Sequence, residues 1–385
     1  MRRVVRSPLD DSKSVDATMA ATMAVTTTVT TTTSATLGAR GGLGAPSSRV
    51  VPVMTRTRSV TSTTRAFFGA RDDASRDVGG KAGEIKLADV ARGKKIGSGS
   101  FGDVYEGTLG GSRRVVLKEK RAGGGAFFES EAENNRRVRG FDGVATFIGV
   151  AGANAYLVWE DEGRDTLEDC FGGGAFGFGL GGGGGDGFAR KLGCSSDAEA
   201  SRKVAKQCLK AVKGLHDRGL IHRDVKPGNL LITRRGERLK LIDLGGAADL
   251  RTGNNFDESE TIFDPVYGPP ERYITGKFGG VGFGNVGWGK NKPDLFDSFS
   301  CGMTILQVSV PAFRKKGAMK AVRRDLKRWC YDCEAWRASL PERQQDDFAI
   351  LDENNGAGWK LVCGLIANKG TRMSVSKALS SPFCR

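Results

Sequence analysis

No segment of the chain reaches the roughly 18 consecutive apolar residues that a membrane-spanning helix requires; the most apolar stretch, around Met303–Val310, is far too short. Any membrane contact is therefore expected to be peripheral. Histidine is nearly absent, His216 and His222 being the only two. That leaves the CxxC pair Cys330 and Cys333 short of the further ligands a zinc site needs. The eight cysteines are too sparse and scattered for a disulfide scaffold, so reduced thiols are the expectation. Acidic residues are missing altogether from Ala17 to Arg71.

That last gap has positive content. The same stretch is rich in Thr, Ala and Ser, with Arg40, Arg49, Arg56, Arg58, Arg65 and Arg71 spaced through it. Such a composition is the signature of a plastid or mitochondrial transit peptide, and residues 1–71 are read as a disordered leader. Asp10, Asp11 and Asp16 break the pattern; initiation at Met19 or Met23, each followed by Ala, would restore it. The formal net charge of +15 is uneven, since ten Lys/Arg and three acids fall within residues 1–71. It is read as a leader plus a solvated surface, not as a nucleic-acid footprint.

From about Lys86 the texture changes. Short β-branched runs at Val115–Leu117, Thr146–Val150 and Ala155–Val158 alternate with glycine-marked turns. After Gly193 the pattern becomes helical: Ser196 and Glu199 are spaced as a capping box, and Val204, Cys208, Val212 and Leu215 follow at helical intervals. The expectation is an α+β chain, with a small strand-rich lobe over residues 90–160 and a larger helical lobe over 161–385. Two glycine-rich segments, 171–187 and 277–290, have neither helical nor strand periodicity and read as surface insertions.

The chemistry is carried by short motifs. IGSGSFGDVYEG sets Gly97, Gly99, Gly102 and Val104 in the spacing GxGxxGxV; glycine lets the backbone approach phosphate oxygens and offer its N–H groups. A strand-like VVLK follows, ending at Lys118, which would reach the α- and β-phosphates of a nucleotide. Such a lysine needs a carboxylate, and FFESEAENNRR offers Glu131, with Glu133 the alternative. In LIHRDVKPGNLLI, Asp224 can take the proton of an acceptor hydroxyl, Lys226 can neutralise charge on the transferred phosphoryl group, and Asn229 can ligate magnesium. LKLIDLGG then places Asp243 at the end of an apolar strand as a second metal ligand. Base, lysine and two metal ligands form a complete phosphoryl-transfer set.

These motifs, with PPE at Pro269–Glu271, make the chain resemble eukaryotic-type protein kinases from residue 90 onward. The resemblance implies the bilobal kinase fold, with ATP and Mg as cofactors and proteins as substrates. It adds Ile96, Ser98, Ser100, Phe101, Val116, Trp159, Glu160 and Leu231 to the nucleotide-binding set. It places Asp297 in a buried helix and pairs Arg372 with Glu271. Lys226 within DVKPGN is the serine/threonine form of its motif. FDPVYGPPERYI, LVWEDEG and DLKRWCYDCEAWR are similar to the thylakoid state-transition kinases of plants and algae. That similarity implies a chloroplast location, in the stroma or on the stromal thylakoid face, with mitochondrion as the alternative. It also implies thylakoid or other chloroplast proteins as substrates.

Several residues depart from the pattern. The membrane span and N-terminal cysteine pair of the thylakoid enzymes are missing. Leu244 replaces a phenylalanine, while Val116 and Trp159 add bulk around the adenine position. Asp264 stands where a threonine usually bridges the catalytic aspartate and lysine; it could contact Lys226 or repel Asp224. Arg223 calls for an acidic partner in the activation loop. Candidate phosphosites are Thr252, Ser259 and Thr261, with Glu258 and Glu260 as built-in substitutes. A nucleotide-binding scaffold without turnover and a small-molecule kinase are the rival readings. The intact Lys118, Asp224, Asn229 and Asp243 speak against the first, and the PPE segment against the second.

Overall fold

The computed structural model describes residues 84–98, 102–121, 125–171, 186–236, 238–253, 255, 263–271 and 292–385. Outside these fall the leader, Gly99, Ser100, Phe101, Glu258, Ser259, Glu260, Thr261, most of the glycine-rich segment 171–187 and all of 277–290.

The β-branched runs build one antiparallel sheet. Its strands are β1 (Val90–Ser98), β2 (Gly102–Leu109), β3 (Arg113–Lys120), β4 (Phe147–Ala151) and β5 (Tyr156–Glu160), in the order β1-β2-β3-β5-β4. Alternation along the strands gives each face its own cluster. Val115, Leu117, Ala151 and Val158 are buried on one, with Tyr105 and Ile148 packed against them. On the other, Phe147, Val150 and Leu157 meet Phe128 and Ala132 of helix α1 (Gly125–Arg137). Phe128 and Ala132 are four residues apart, so they share a helix face and set the rotation of α1 on the sheet.

The remainder is mainly helical: α2 (Asp186–Lys191), α3 (Asp197–His216), α4 (Leu295–Ser309), α5 (Ala318–Arg328), α6 (Cys333–Ala338), α7 (Glu342–Gln345), α8 (Ala349–Ile366) and α9 (Val375–Ala378). α8 is broken at Glu353–Gly356, where the backbone leaves helical angles. Every residue of α4 is buried, and α4 packs against both α3 and α8. Ser196 caps α3 by accepting from Glu199 N–H at 3.2 Å. The reciprocal arm of the expected capping box is shifted by one residue: the Glu199 carboxylate accepts from Ser195 N–H at 2.8 Å. Phe171 also departs from expectation. It ends a 3-10 turn and stacks on Phe188 at 6.0 Å, so it packs on the core instead of opening an insertion.

Two short antiparallel ladders, β6 (Leu220–Ile221) with β9 (Ala248–Asp249) and β7 (Leu230–Ile232) with β8 (Leu239–Leu241), frame the loops that carry Asp224 and Asp243. A small sheet with one helix and a larger helical body are the arrangement the kinase resemblance implied.

Candidate active site

Lys118 sits near the end of β3, opposite Val104 of β2. A Cβ on Gly102 would come within 2.5 Å of the Glu119 carbonyl oxygen and 3.0 Å of Lys118 Cγ, so glycine is what lets β2 pass so closely over the lysine. The Lys118 ammonium is buried and lies 2.6 Å from Glu131 Oε2 and 3.0 Å from Asp243 Oδ1. Glu131 is 1% exposed, whereas Glu133 points outward and faces Arg136 at 3.5 Å. The choice between the two glutamates is thus made by the phase that Phe128 and Ala132 impose.

One cation serves two carboxylates here. Burial pushes Glu131 up to about 7, with Lys118 opposing the rise. Burial works against ionised Asp243 too, but the Lys118 charge prevails and holds it below its ordinary range. Burial favours neutral Lys118, yet the two carboxylates outweigh it and raise its pKa.

The second group lies on the loop between β6 and β7. Asp224 Oδ2 takes Lys226 Nζ at 2.9 Å and Asn229 Nδ2 at 2.9 Å, while Oδ1 accepts from Asp264 N–H at 3.2 Å. Asn229 Nδ2 also donates to the Asp224 carbonyl at 2.8 Å. Its own Oδ1 accepts no hydrogen bond from the described residues. Of the two expectations for Asp264, the contact with Lys226 is formed by its carboxylate. That carboxylate lies 3.6 Å from Lys226 Nζ and accepts from Val266 N–H at 2.8 Å, while its backbone serves Asp224.

The loop is held from beneath by α4. Asp297 Oδ2 accepts from His222 N–H at 2.8 Å and His216 Nε2 at 2.9 Å, and Oδ1 accepts from Arg223 N–H at 2.8 Å. Burial opposes ionisation of Asp297, but these donors keep its carboxyl below the usual range. His222 Nε2 lies 3.1 Å from the Ile242 carbonyl, which can only accept, so Nε2 carries the proton and Nδ1 accepts from Asp224 N–H at 3.2 Å. Arg223 and Asp243 both adopt left-handed backbone angles, φ +69° and +62°. Arg223 Nε donates to the Gly246 carbonyl at 2.7 Å.

Sequence reasoning missed how α1 is fastened. Asn134 and Asn135 are 1% and 3% exposed. Asn134 Nδ2 donates to the Leu244 carbonyl at 3.0 Å, and Asn255 Nδ2 donates to Ser130 Oγ at 2.8 Å and to the Gly245 and Ala247 carbonyls at 3.1 Å each. Asn135 Oδ1 accepts from Trp159 Nε1 at 3.1 Å, and its Nδ2 donates to the Glu131 carbonyl. Arg137 pairs with the buried Asp249 of β9. Thus the helix bearing Glu131 is tied to β5, to β9 and to the segment after Asp243.

The other predicted residues fall as follows. Val116 pairs with Trp159 across β3 and β5, and Gly97 with Val104 across β1 and β2. Ile96 is exposed on β1, where Ser98 donates to Asp103 at 2.6 Å; Leu231 is half-buried on β7 and Glu160 pairs with Arg113. Arg372 forms a two-pronged pair with Glu271 and donates to the Leu295 carbonyl at 3.0 Å. The Thr252 hydroxyl donates to Asp249 at 2.6 Å. Cys330 is exposed while Cys333 is buried, so the two thiols do not face one site. Among the described residues no three His, Cys, Asp or Glu side chains converge as a zinc site would require.

Comparison with known proteins agrees with this geometry. The protein kinase domain family matches residues 90–384. The chain is 32% identical over 355 residues to the chloroplastic serine/threonine-protein kinase STN8 of Arabidopsis thaliana, covering 78% of this chain and 70% of that one. It is 33% identical over 324 residues to the chloroplastic serine/threonine-protein kinase STN7 of the same plant, covering 77% of this chain and 57% of that protein. The crystal structure of a Stt7 homolog from Micromonas algae, soaked with ATP, matches with a TM-score of 0.67 at 29% identity, over 77% of this chain and 93% of that one. The chain belongs to the protein kinase family and is a serine/threonine protein kinase.

Proposed function

We propose that this kinase transfers the γ-phosphate of ATP to Ser or Thr of chloroplast proteins, thylakoid proteins among them, with Asp224 as the base. The observation that carries the reading is that both charge sets are assembled together. Lys118 lies 2.6 Å from Glu131 and 3.0 Å from Asp243, and Asp224 is held by Lys226 and Asn229. Glycines 97, 99 and 102 with Val104 cover the nucleotide, and Ile96, Ser98, Ser100, Phe101, Val116, Trp159, Glu160 and Leu231 surround it. Lys118, braced by Glu131, holds the α- and β-phosphates. Asp224 orients the acceptor hydroxyl and takes its proton, while Lys226, braced by Asp264, faces the charge on the phosphoryl group.

Asn229 Oδ1 and the Asp243 carboxylate are hard oxygen donors and suit magnesium. Magnesium would neutralise charge on the phosphate oxygens. Composition of residues 1–71 and the chloroplastic relatives support a chloroplast location, with the mitochondrion as the alternative. Peripheral contact with the thylakoid surface belongs to the same reading. No helix among the described residues is long and apolar enough to cross a membrane. Ser259 and Thr261, which lie outside the described residues, remain the proposed phosphosites.

The test is phosphate transfer from labelled ATP and magnesium to a generic protein acceptor by the full chain, beside Asp243→Ala. Phosphoserine or phosphothreonine that disappears in the variant supports the assignment. Nucleotide binding without transfer by either protein replaces it with a scaffold.

A further inference from the structure

Helix α5 has two unlike sides. Met319, Val322 and Leu326 are buried, at spacings of three and four residues. On the other side and in the turn before it, Lys315, Lys316, Lys320, Arg324, Lys327 and Arg328 are all exposed. Within the helix Lys320, Arg324 and Lys327 follow each other at intervals of four and three, which aligns them in one stripe, and Lys315 and Lys316 lie in the turn that leads into it. Asp325 is the only acidic residue between 315 and 331. It lies 3.9 Å from Arg324 and 3.6 Å from Arg328, while the four lysines make no ion pair among the described residues. At the helix end Trp329 is 43% exposed, one of three large apolar side chains left in water among the described residues.

We propose that this face of α5 is a docking surface for an anionic lipid bilayer, with the cationic stripe lying along the headgroups and the Trp329 indole anchored at their level. The inference deepens the peripheral membrane contact proposed above and rests on it. Charge complementarity is one argument: a one-sided basic stripe with a single acid beside it suits an extended negative surface. The composition of the stripe is another. Lysine ammoniums, which dominate it, are flexible point charges suited to a diffuse field, whereas arginine forks favour fixed bidentate partners. The third is Trp329, since an amphipathic ring beside a basic helix matches the bilayer interface. A convex helix face offers no pocket for a small ligand, and a bilayer needs none.

The test uses the full chain and sedimentation with phosphatidylcholine vesicles, with and without phosphatidylglycerol. Each basic residue near such a surface is worth about five-fold in partitioning, so Lys320→Gln/Arg324→Gln/Lys327→Gln should weaken binding to the anionic vesicles about a hundred-fold. Lys86→Gln/Lys210→Gln/Lys377→Gln, equal in charge change and also exposed, should change it far less. Trp329→Ala should lower the binding that survives at high salt, where charge attraction is screened. Phosphorylation of a soluble acceptor, measured in parallel, should be unchanged in every variant and shows that each is folded. Wild-type binding that the α5 triple variant retains overturns the surface but leaves the membrane contact standing. No binding by the wild type overturns both. Tighter capture by an oligonucleotide or an acidic peptide than by anionic vesicles assigns the stripe to that partner and overturns the proposal.

Discussion

Asn255 is the most informative residue to remove. Its buried amide donates to Ser130 Oγ at 2.8 Å and to the carbonyls of Gly245 and Ala247 at 3.1 Å, joining α1 to the segment just after Asp243. Alanine at 255 leaves the Gly245 carbonyl without this donor and the Ala247 carbonyl with only the long 3.4 Å contact from Asn134. An unsatisfied buried acceptor costs about 1–3 kcal/mol. Taking about 2 kcal/mol, and letting it fall wholly on the arrangement in which α1 keeps Glu131 against Lys118, the active population drops about thirty-fold. Asn255→Ala should therefore lower kcat/KM with a soluble acceptor by about that factor, and amide exchange within α1 should quicken. Unchanged thermal stability together with wild-type kcat/KM would refute the reasoning, because the bonds would then carry no weight in positioning Glu131. A uniform loss of stability without faster exchange in α1 would refute it too, since the bonds would then stabilise the fold without holding the helix.

Asp264→Asn keeps the cap on Val266 N–H but removes a charge 3.6 Å from a partly exposed Lys226. Such a pair is worth at most about 1 kcal/mol, so turnover should fall no more than about five-fold; a faster variant would mean that Asp264 repels Asp224 after all. The raised Glu131 predicts opposite pH trends. Activity should climb as pH rises through about 7, where Glu131 ionises against Lys118. Stability should decline between its ordinary value of 4.5 and about 7, because there the folded chain holds a proton that the unfolded chain has released. Glu131→Gln should erase the acid limb of the activity profile, and a limb that persists assigns it elsewhere. Asp297→Asn puts an amide donor opposite three donors. Breaking a buried charged centre costs about 3–5 kcal/mol, so the melting temperature should drop sharply; an unshifted melting curve rejects that role for Asp297.

The legible part of the site was the part written as spacing. Asp224, Lys226 and Asn229 occupy one short loop, so the separation of their side chains in space is nearly their separation in sequence. Glu131 was less legible, because glutamates also stand two residues away on either side, at 129 and 133; Phe128 and Ala132 settle the rotation only once they meet the sheet. Asn134, Asn135 and Asn255 could not be read at all. A polar amide in a helix or loop ordinarily marks the solvent side, and nothing local reveals that carbonyls from residues 244–247 will wait for Asn134 and Asn255, or the Trp159 indole for Asn135. The CxxC was legible as lacking the ligands of a zinc site, but not the geometry that separates its thiols. Cys330 and Tyr331 take left-handed angles, φ +49° and +64°, which turn the first thiol outward while the second is buried. The strand-rich lobe and the apolar face of α3 followed from periodicity, but the antiparallel pairing and the strand order β1-β2-β3-β5-β4 did not, since pairing between distant strands leaves no trace in the pattern of either.

The left-handed turns at Arg223 and Asp243 bear on how this enzyme could be made more heat-tolerant. Each holds an ordinary side chain where glycine would sit without strain, at a cost of about 1–2 kcal/mol per residue. Glycine at Asp243 would relieve the backbone, and a screen that selects on melting temperature alone would favour it there. At Arg223 it would empty the volume of a side chain that is 1% exposed and cost more than the relief. The exchange at Asp243 would delete the carboxylate beside Lys118. Variants selected for robustness without a turnover assay should therefore drift toward stable, inactive chains through Asp243 first.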